Sequence, residues 1–175
     1  MIIITAVGPD RPGMAHALAS ILSDVGCNME DTTMTRLSGE FAMILIVTPP
    51  RDLSTEHLAK RLSPLEKTHG LFINCRDIAD EEQAQSESLP RFMLSVYGPE
   101  AKGLVARITG VLAKNGVNIT DVQTRVASSG TVYVMLFELE LPPTLDAAQL
   151  QSALESEAQQ IGVQVSLHPL EEETL

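Results

Sequence analysis

A chain of 175 residues that sets 12 Lys and Arg against 23 Asp and Glu carries a net charge of −11, which excludes the broad basic surface that phosphate neutralisation needs. Aromatic residues make up only 3% of it and Trp is missing, so the stacking platforms of single-stranded nucleic-acid binders are excluded too, and the 44% apolar content must build aliphatic cores. No run of about 18 apolar residues occurs and no basic leader precedes one, so the expectation is a cytoplasmic protein with no membrane partner.

Ile2 to Val7 is a short β-branched run, a predicted strand ended by Gly8-Pro9. Met14, Leu18, Ile21, Leu22 and Val25 follow at helical spacing, with Gly26 as the stop. Asn28 to Arg36 mixes polar and β-favouring residues, Ser38-Gly39 is a turn, and Phe41 to Thr48 is a second long strand ended by Pro49-Pro50. Asp52-Leu53-Ser54 suits a helix start, Leu58 and Leu62 give that helix its apolar face, and Pro64 kinks or stops it. Leu71 to Ile78 is a last strand. The polar stretch 80–90 reads as a linker, and Glu171-Glu172-Glu173 belongs to an acidic tail, 171–175.

The pattern then starts again. Gly98-Pro99-Glu100-Ala101-Lys102-Gly103 answers Gly8-Pro9-Asp10-Arg11-Pro12-Gly13, and Gly116-Val117-Asn118-Ile119-Thr120-Asp121 answers Gly26-Cys27-Asn28-Met29-Glu30-Asp31, each pair offset by 90 residues. Strands are expected at Phe92–Tyr97, Ile119–Val126, Val132–Leu141 and Val163–Leu167. Leu104, Ile108, Val111 and Leu112 mark one helix, and Leu150, Leu154, Ala158 and Ile161 the other. The turn glycines, 39 and 130, are 91 apart and the first strand-ending prolines, 49 and 142, are 93 apart, so the second hairpin is longer. A repeat this long is a duplicated domain, since solenoid periods run about 20–50 residues. The expected organisation is a first domain over 1–79, the linker, and a second domain over 91–170. The fold class is α+β: two tandem ferredoxin-like βαββαβ sandwiches, antiparallel sheets with both helices on one face, expected to join into one eight-stranded sheet because open edges tend to be paired.

Chemistry is most plausible at the glycine-bearing loop after the first strand. Gly13 allows close backbone approach and Pro12 suits the first helical turn, where unpaired amides and the helix dipole favour an anion such as an amino-acid carboxylate. Arg11 can clamp a carboxylate bidentately. Asn28 and Asn118, just past each helix, can donate and accept toward a zwitterion. Ordinary turn and capping chemistry explains the same residues, and both readings stay open. Met14, Met29, Met34 and Met43 read as core filler, and Cys27 and Cys75 as structural thiols without metal spacing. His16, His57, His69 and His168 share no ligand spacing, no catalytic triad is visible, and no cofactor is implied.

VGPDRPGMAHALASILSDVGCNMEDT resembles the start of an ACT domain, whose hallmark is a D-x-P-G loop, an aliphatic helix and then G-x-N-I-x-D. VYGPEAKGLVARITGVLAKNGVNITDV matches the second half of that pattern well and the first half poorly, with Lys102 in place of the proline. Two tandem ACT domains without a catalytic domain are similar to the glycine cleavage system transcriptional repressor group. The resemblance implies regulation: ACT domains bind small molecules, commonly amino acids, between two copies. Carried over, with the loop of one copy facing the second strand of its neighbour, it places Asp10, Pro12, Gly13 and Met14 in the loop and Asn28 and Met29 on the strand side, with Gly103, Leu104, Asn118 and Ile119 matching in the other copy. It further implies a small amino acid, glycine or serine first, and a protein partner such as a DNA-binding regulator rather than direct nucleic-acid contact; a homodimer is another arrangement. Two other functions fit the same elements: an acylphosphatase-type hydrolase using Arg11 and Asn28, and a ligand-independent interaction scaffold.

Overall fold

The computed structural model describes residues 1–78, 89–99, 101–126 and 132–170. The chain divides into two compact units, Met1–Gln85 and Ser86–Leu175. Residues 80–88 of the expected linker, the tail 171–175, Glu100 and the Ser129-Gly130 turn lie outside the described residues.

The first unit runs β1 (Ile2–Pro9), α1 (Met14–Asp24), β2 (Asn28–Leu37), β3 (Glu40–Thr48), α2 (Thr55–Leu62), α3 (Pro64–His69) and β4 (Phe72–Asp77). Its strands pair antiparallel in the order β2-β3-β1-β4. The second unit runs β5 (Arg91–Pro99), α4 (Leu104–Lys114), β6 (Asn118–Val126), β7 (Val132–Glu140), α5 (Ala147–Ile161) and β8 (Gln164–Pro169), in the order β6-β7-β5-β8. The described ladders make one four-stranded sheet in each unit. β2 and β6 each carry a bulge, at Met29/Asp31 and at Ile119/Asp121, which bends the strand locally.

Alternation along the central strands sorts the side chains. Ile2, Ile4 and Ala6 of β1 and Phe41, Met43, Leu45 and Val47 of β3 face the helices and are buried. Met14, Leu18 and Leu22, one helical stripe spaced by four, close over them from α1, with Leu58, Leu62 and Leu65 from α2 and α3. In the second unit Leu94, Val96, Met135, Phe137 and Leu139 meet Leu104, Ile108 and Leu112 of α4 and Leu150, Leu154 and Ala158 of α5. Pro64 does divide the first unit's second helical segment: α2 ends at Leu62 and α3 restarts with the proline in its first turn. Among the methionines expected in the core, Met14 and Met43 are buried, whereas Met29 and Met34 are 47% and 57% exposed because they lie on the edge strand β2.

Two local departures bear on the loop. β1 does not end at Gly8-Pro9 but runs through them, pairing Gly8 with Phe41 and Pro9 with Glu40. Pairing with β4 stops at Val7, so β1 has one neighbour there and the missing N–H of Pro9 interrupts no ladder. Gly8 is required by proximity rather than by turn conformation: a Cβ there would stand 2.6 Å from the Gly70 carbonyl oxygen, and one on Gly98 would stand 2.6 Å from Val163 Cγ1. In each unit the chain entering the last strand crosses directly over the first.

Gly8→Ala forces backbone against backbone and is expected to cost about 3 kcal/mol, the upper part of the range for overpacking. Gly13→Ala, with open space around its Cβ, is expected to cost only the left-handed backbone term of about 1–2 kcal/mol. Urea denaturation of the two variants checks this order, and a reversed order refutes the close-approach argument.

Candidate functional site

The loop between β1 and α1 is a type II turn. Met14 N–H donates to the Arg11 carbonyl at 3.4 Å, Pro12 takes the second position, and Gly13 takes the third at φ 96°, ψ −6°. Pro12 therefore does not stand at the first helical position, as the sequence suggested. The turn's proline-glycine preference decides its place, and Gly13 becomes the helix N-cap. The second unit repeats the geometry: Leu104 N–H donates to the Ala101 carbonyl at 3.2 Å and Gly103 sits at φ 79°, ψ 5°. Lys102 in place of proline does not abolish the turn, because the positive φ belongs to the glycine.

A cap of this kind offers no side-chain acceptor to the helix. Ala17 N–H donates to the Gly13 carbonyl at 2.8 Å, which leaves the amides of Ala15 and His16 without intrahelical acceptors at the positive end of α1. Beside them is a cavity of about 200 Å³ lined by Asp10, Arg11, Gly13, Met14, Ala15, Met34 and Phe41. Asp10 is fixed at its backbone by an N–H···O bond of 2.8 Å to the Gly39 carbonyl, and its carboxylate accepts from Arg36 Nη1 at 3.4 Å.

The sequence reading missed Met34, Arg36 and Phe41 as site residues. The bulge at Glu30 is the reason. Met29 opposes Val47 on the helix side, and simple alternation would next put Asp31, Thr33 and Thr35 there. The extra residue reverses the parity, so that Thr32 opposes Leu45, Met34 opposes Met43 and Arg36 opposes Phe41, all on the helix side. A bulge in a polar edge strand leaves no periodic signal. The only available hint was that Glu30 and Thr120 occupy the same place in the two copies.

Within the first unit the strand-side residues stand apart from the loop, as a site that pairs one copy's loop with its neighbour's second strand would have them. Asn28 and Met29 line a separate cavity of about 420 Å³ with Ala19, Leu22, Ser23, Gly26 and Cys27, at the far end of α1. Eleven helical residues, about 16 Å at 1.5 Å per residue, separate the two ends. Arg11 and Asn28 therefore do not converge on one substrate, as the hydrolase reading requires. Asn28 Nδ2 donates to Glu30 Oε1 at 2.8 Å and Asn118 Nδ2 to Glu140 Oε2 at 3.0 Å, so both amides serve carboxylates and neither caps a helix. The bond from Asn28, followed by one from Thr48, holds the exposed Glu30 carboxyl below its ordinary range. In the second unit Gly103 and Leu104 are in the turn, while Asn118 and Ile119 begin β6 beyond the C-terminal end of α4. Among the described residues no group of three or more His, Cys, Asp or Glu is placed to hold a metal ion, and no helix is long and apolar enough to cross a membrane.

A family model described as the ACT domain matches residues 1–76 and again 91–168. The glycine cleavage system transcriptional repressor of Escherichia coli K12 is 23% identical over 173 residues, covering 95% of this chain and 88% of that protein. A crystal structure of an unknown protein from Galdieria sulphuraria superposes with a TM-score of 0.80 at 26% identity, covering 97% of this chain and 98% of the other. That of a putative glycine cleavage system transcriptional repressor gives 0.70 at 18%, covering 98% and 97%.

Burial pushes the Cys27 and Cys75 thiols above their ordinary range. A raised folded-state value means the folded chain holds these protons more tightly. The stability they contribute is complete below the unfolded thiol pKa of about 8.5 and is lost as pH rises through the folded values. Melting temperature is expected to decline from about pH 8.5 upward more steeply in the native chain than in Cys27→Ala/Cys75→Ala. Parallel curves for the two proteins would refute this.

Proposed function

Because the chain belongs to the ACT-domain family, twice over, we propose that it is a non-catalytic regulatory protein that senses a small amino acid and transmits the result to a protein partner. The observation that carries this reading is the cavity beside the first turn of α1, lined by Asp10 and Arg11, where two uncapped amides and the Asp10 carboxylate with the Arg36 guanidinium bonded to it bring both charges together. A free amino acid presents the complementary pair. Full-length relatedness to a transcriptional repressor of glycine cleavage supports a role in gene regulation. The net charge of −11 supports action through a DNA-binding partner rather than on DNA itself. In this reading residues 1–79 and 91–170 are the two ACT domains, 80–90 the linker and 171–175 an acidic tail, and a homodimer is a further level at which ligand can act.

A ligand that binds only the folded form raises stability by about 2.7 kcal/mol at a hundredfold excess over Kd. Thermal melts against the free amino acids, glycine and serine included, are expected to show an upward shift of several degrees for at least one of them. The shift should vanish in Gly13→Val, which still melts cooperatively. Silence across the whole set from folded protein refutes the sensor reading and leaves the scaffold reading. For the partner, affinity recovery from cell extract is expected to yield a DNA-binding protein whose yield changes with added amino acid. An unchanged yield refutes the coupling, which for such switches is typically about 1–3 kcal/mol.

A further inference from the structure

We propose that Asp10 and Arg36 are the selectivity element of the first unit, and that it takes one α-amino acid with an apolar side chain per chain, in preference to glycine. The inference rests on the amino-acid-sensing reading and specifies its ligand class. Asp10 is held by its backbone bond to Gly39, and its side chain is 32% exposed. Arg36 reaches it from β2 at 3.4 Å, longer than the about 2.7–2.9 Å of a well-made charge-assisted bond, and is 71% exposed. An ion pair this long and this solvated is weakly held. Arg36 gives Asp10 one of its five N–H donors, and those remaining are available to a carboxylate. A zwitterion entering between the two exchanges one loose pair for two close ones: its ammonium group meets Asp10, and its carboxylate meets Arg36 and the positive end of α1.

The inner wall selects the side chain. Met14 and Phe41 are buried beneath the cavity, at 2% and 3% exposure, while Met34 stands over it at 57%. Glycine, favoured from the sequence, fills only the polar end and leaves Met34 against water. An aliphatic or thioether side chain covers Met34 and gains from the apolar area removed. The volume of about 200 Å³ lies below the roughly 300–1,000 Å³ of pockets for drug-sized ligands and suits a single amino acid.

Comparison between the units sets the stoichiometry. The register that places Arg36 opposite Phe41 places Val126 opposite Tyr133, so β6 has no cation at the matching position. Ala101 stands where the first loop has Arg11, and Thr124, opposite Met135, stands where β2 has Met34. The second unit keeps the turn and has an acid, Glu100, at the place of Asp10, but lacks both arginines.

Calorimetry on the full chain tests this with L-leucine, L-methionine, glycine, and two leucine analogues that each lack one charge, 4-methylpentanoate and 3-methylbutylamine. Leucine or methionine is expected to bind at one per chain, at least tenfold more tightly than glycine and than either analogue. Arg36→Gln should weaken that binding at least tenfold with an unchanged melting midpoint, while Arg125→Gln on β6 leaves it within twofold. Unaltered affinity in Arg36→Gln, glycine binding as tightly as leucine, or two ligands per chain would each overturn the proposal and leave amino-acid sensing standing. Absence of binding by any amino acid overturns both.

Discussion

One backbone requirement organises the first unit's chemistry: the chain must turn from β1 into α1 through a residue at positive φ. Gly13 meets it, and because glycine has no side chain to cap the helix, the same residue that makes the turn leaves the first amides open. A serine or aspartate cap would satisfy an amide from within and occupy the place of an anion. The turn also fixes Asp10 through Gly39, which belongs to the β2–β3 hairpin, so loop and hairpin are held as one piece. The cavity is a by-product of this geometry, and its position is set before any side chain is chosen.

The two units show what that geometry does not determine. The turn, the helix stripe, the bulge and the crossing over the first strand recur in both. The arginines do not. In the first unit an Arg is spent at the loop, on Asp10; in the second Arg107 of α4 donates instead to Glu157 and Gln160 of α5 and ties the helices together. Asn118 bonds to Glu140 on the neighbouring strand, while Asn28 bonds within its own strand end to Glu30. The second unit has put its polar contacts into joining elements, and the first has kept a loosely paired acid and base at a cavity.

Much of the fold was legible because its signals are periodic. Leu18 and Leu22 repeat at the helical interval, Ile2 and Ile4 at the strand interval, and Pro64 marks a real break. The turn residues Asp10 to Met14 were also legible, since glycine and proline have few conformational uses. Asn28 and Met29, which the resemblance places on the strand side of a site between copies, stand at the far end of α1 from their own unit's loop. Met34 reads as core filler and Arg36 only as the end of a polar strand, because their face depends on a residue count that composition does not reveal. Gly8 was read as a turn former when its use is clearance beneath Gly70, a contact between segments more than sixty positions apart.

The irregularity at Glu30 has a consequence for how such a protein can change. Excising Glu30 would join the pair Met29–Val47 directly to Asp31–Ile46 and leave every pair from Thr32 to Leu37 as it is, so the strand would lose its local bend while Met34 and Arg36 kept their face. Length at this one place therefore sets the curvature of the edge strand, and the side chains beyond it are free to vary without losing their orientation.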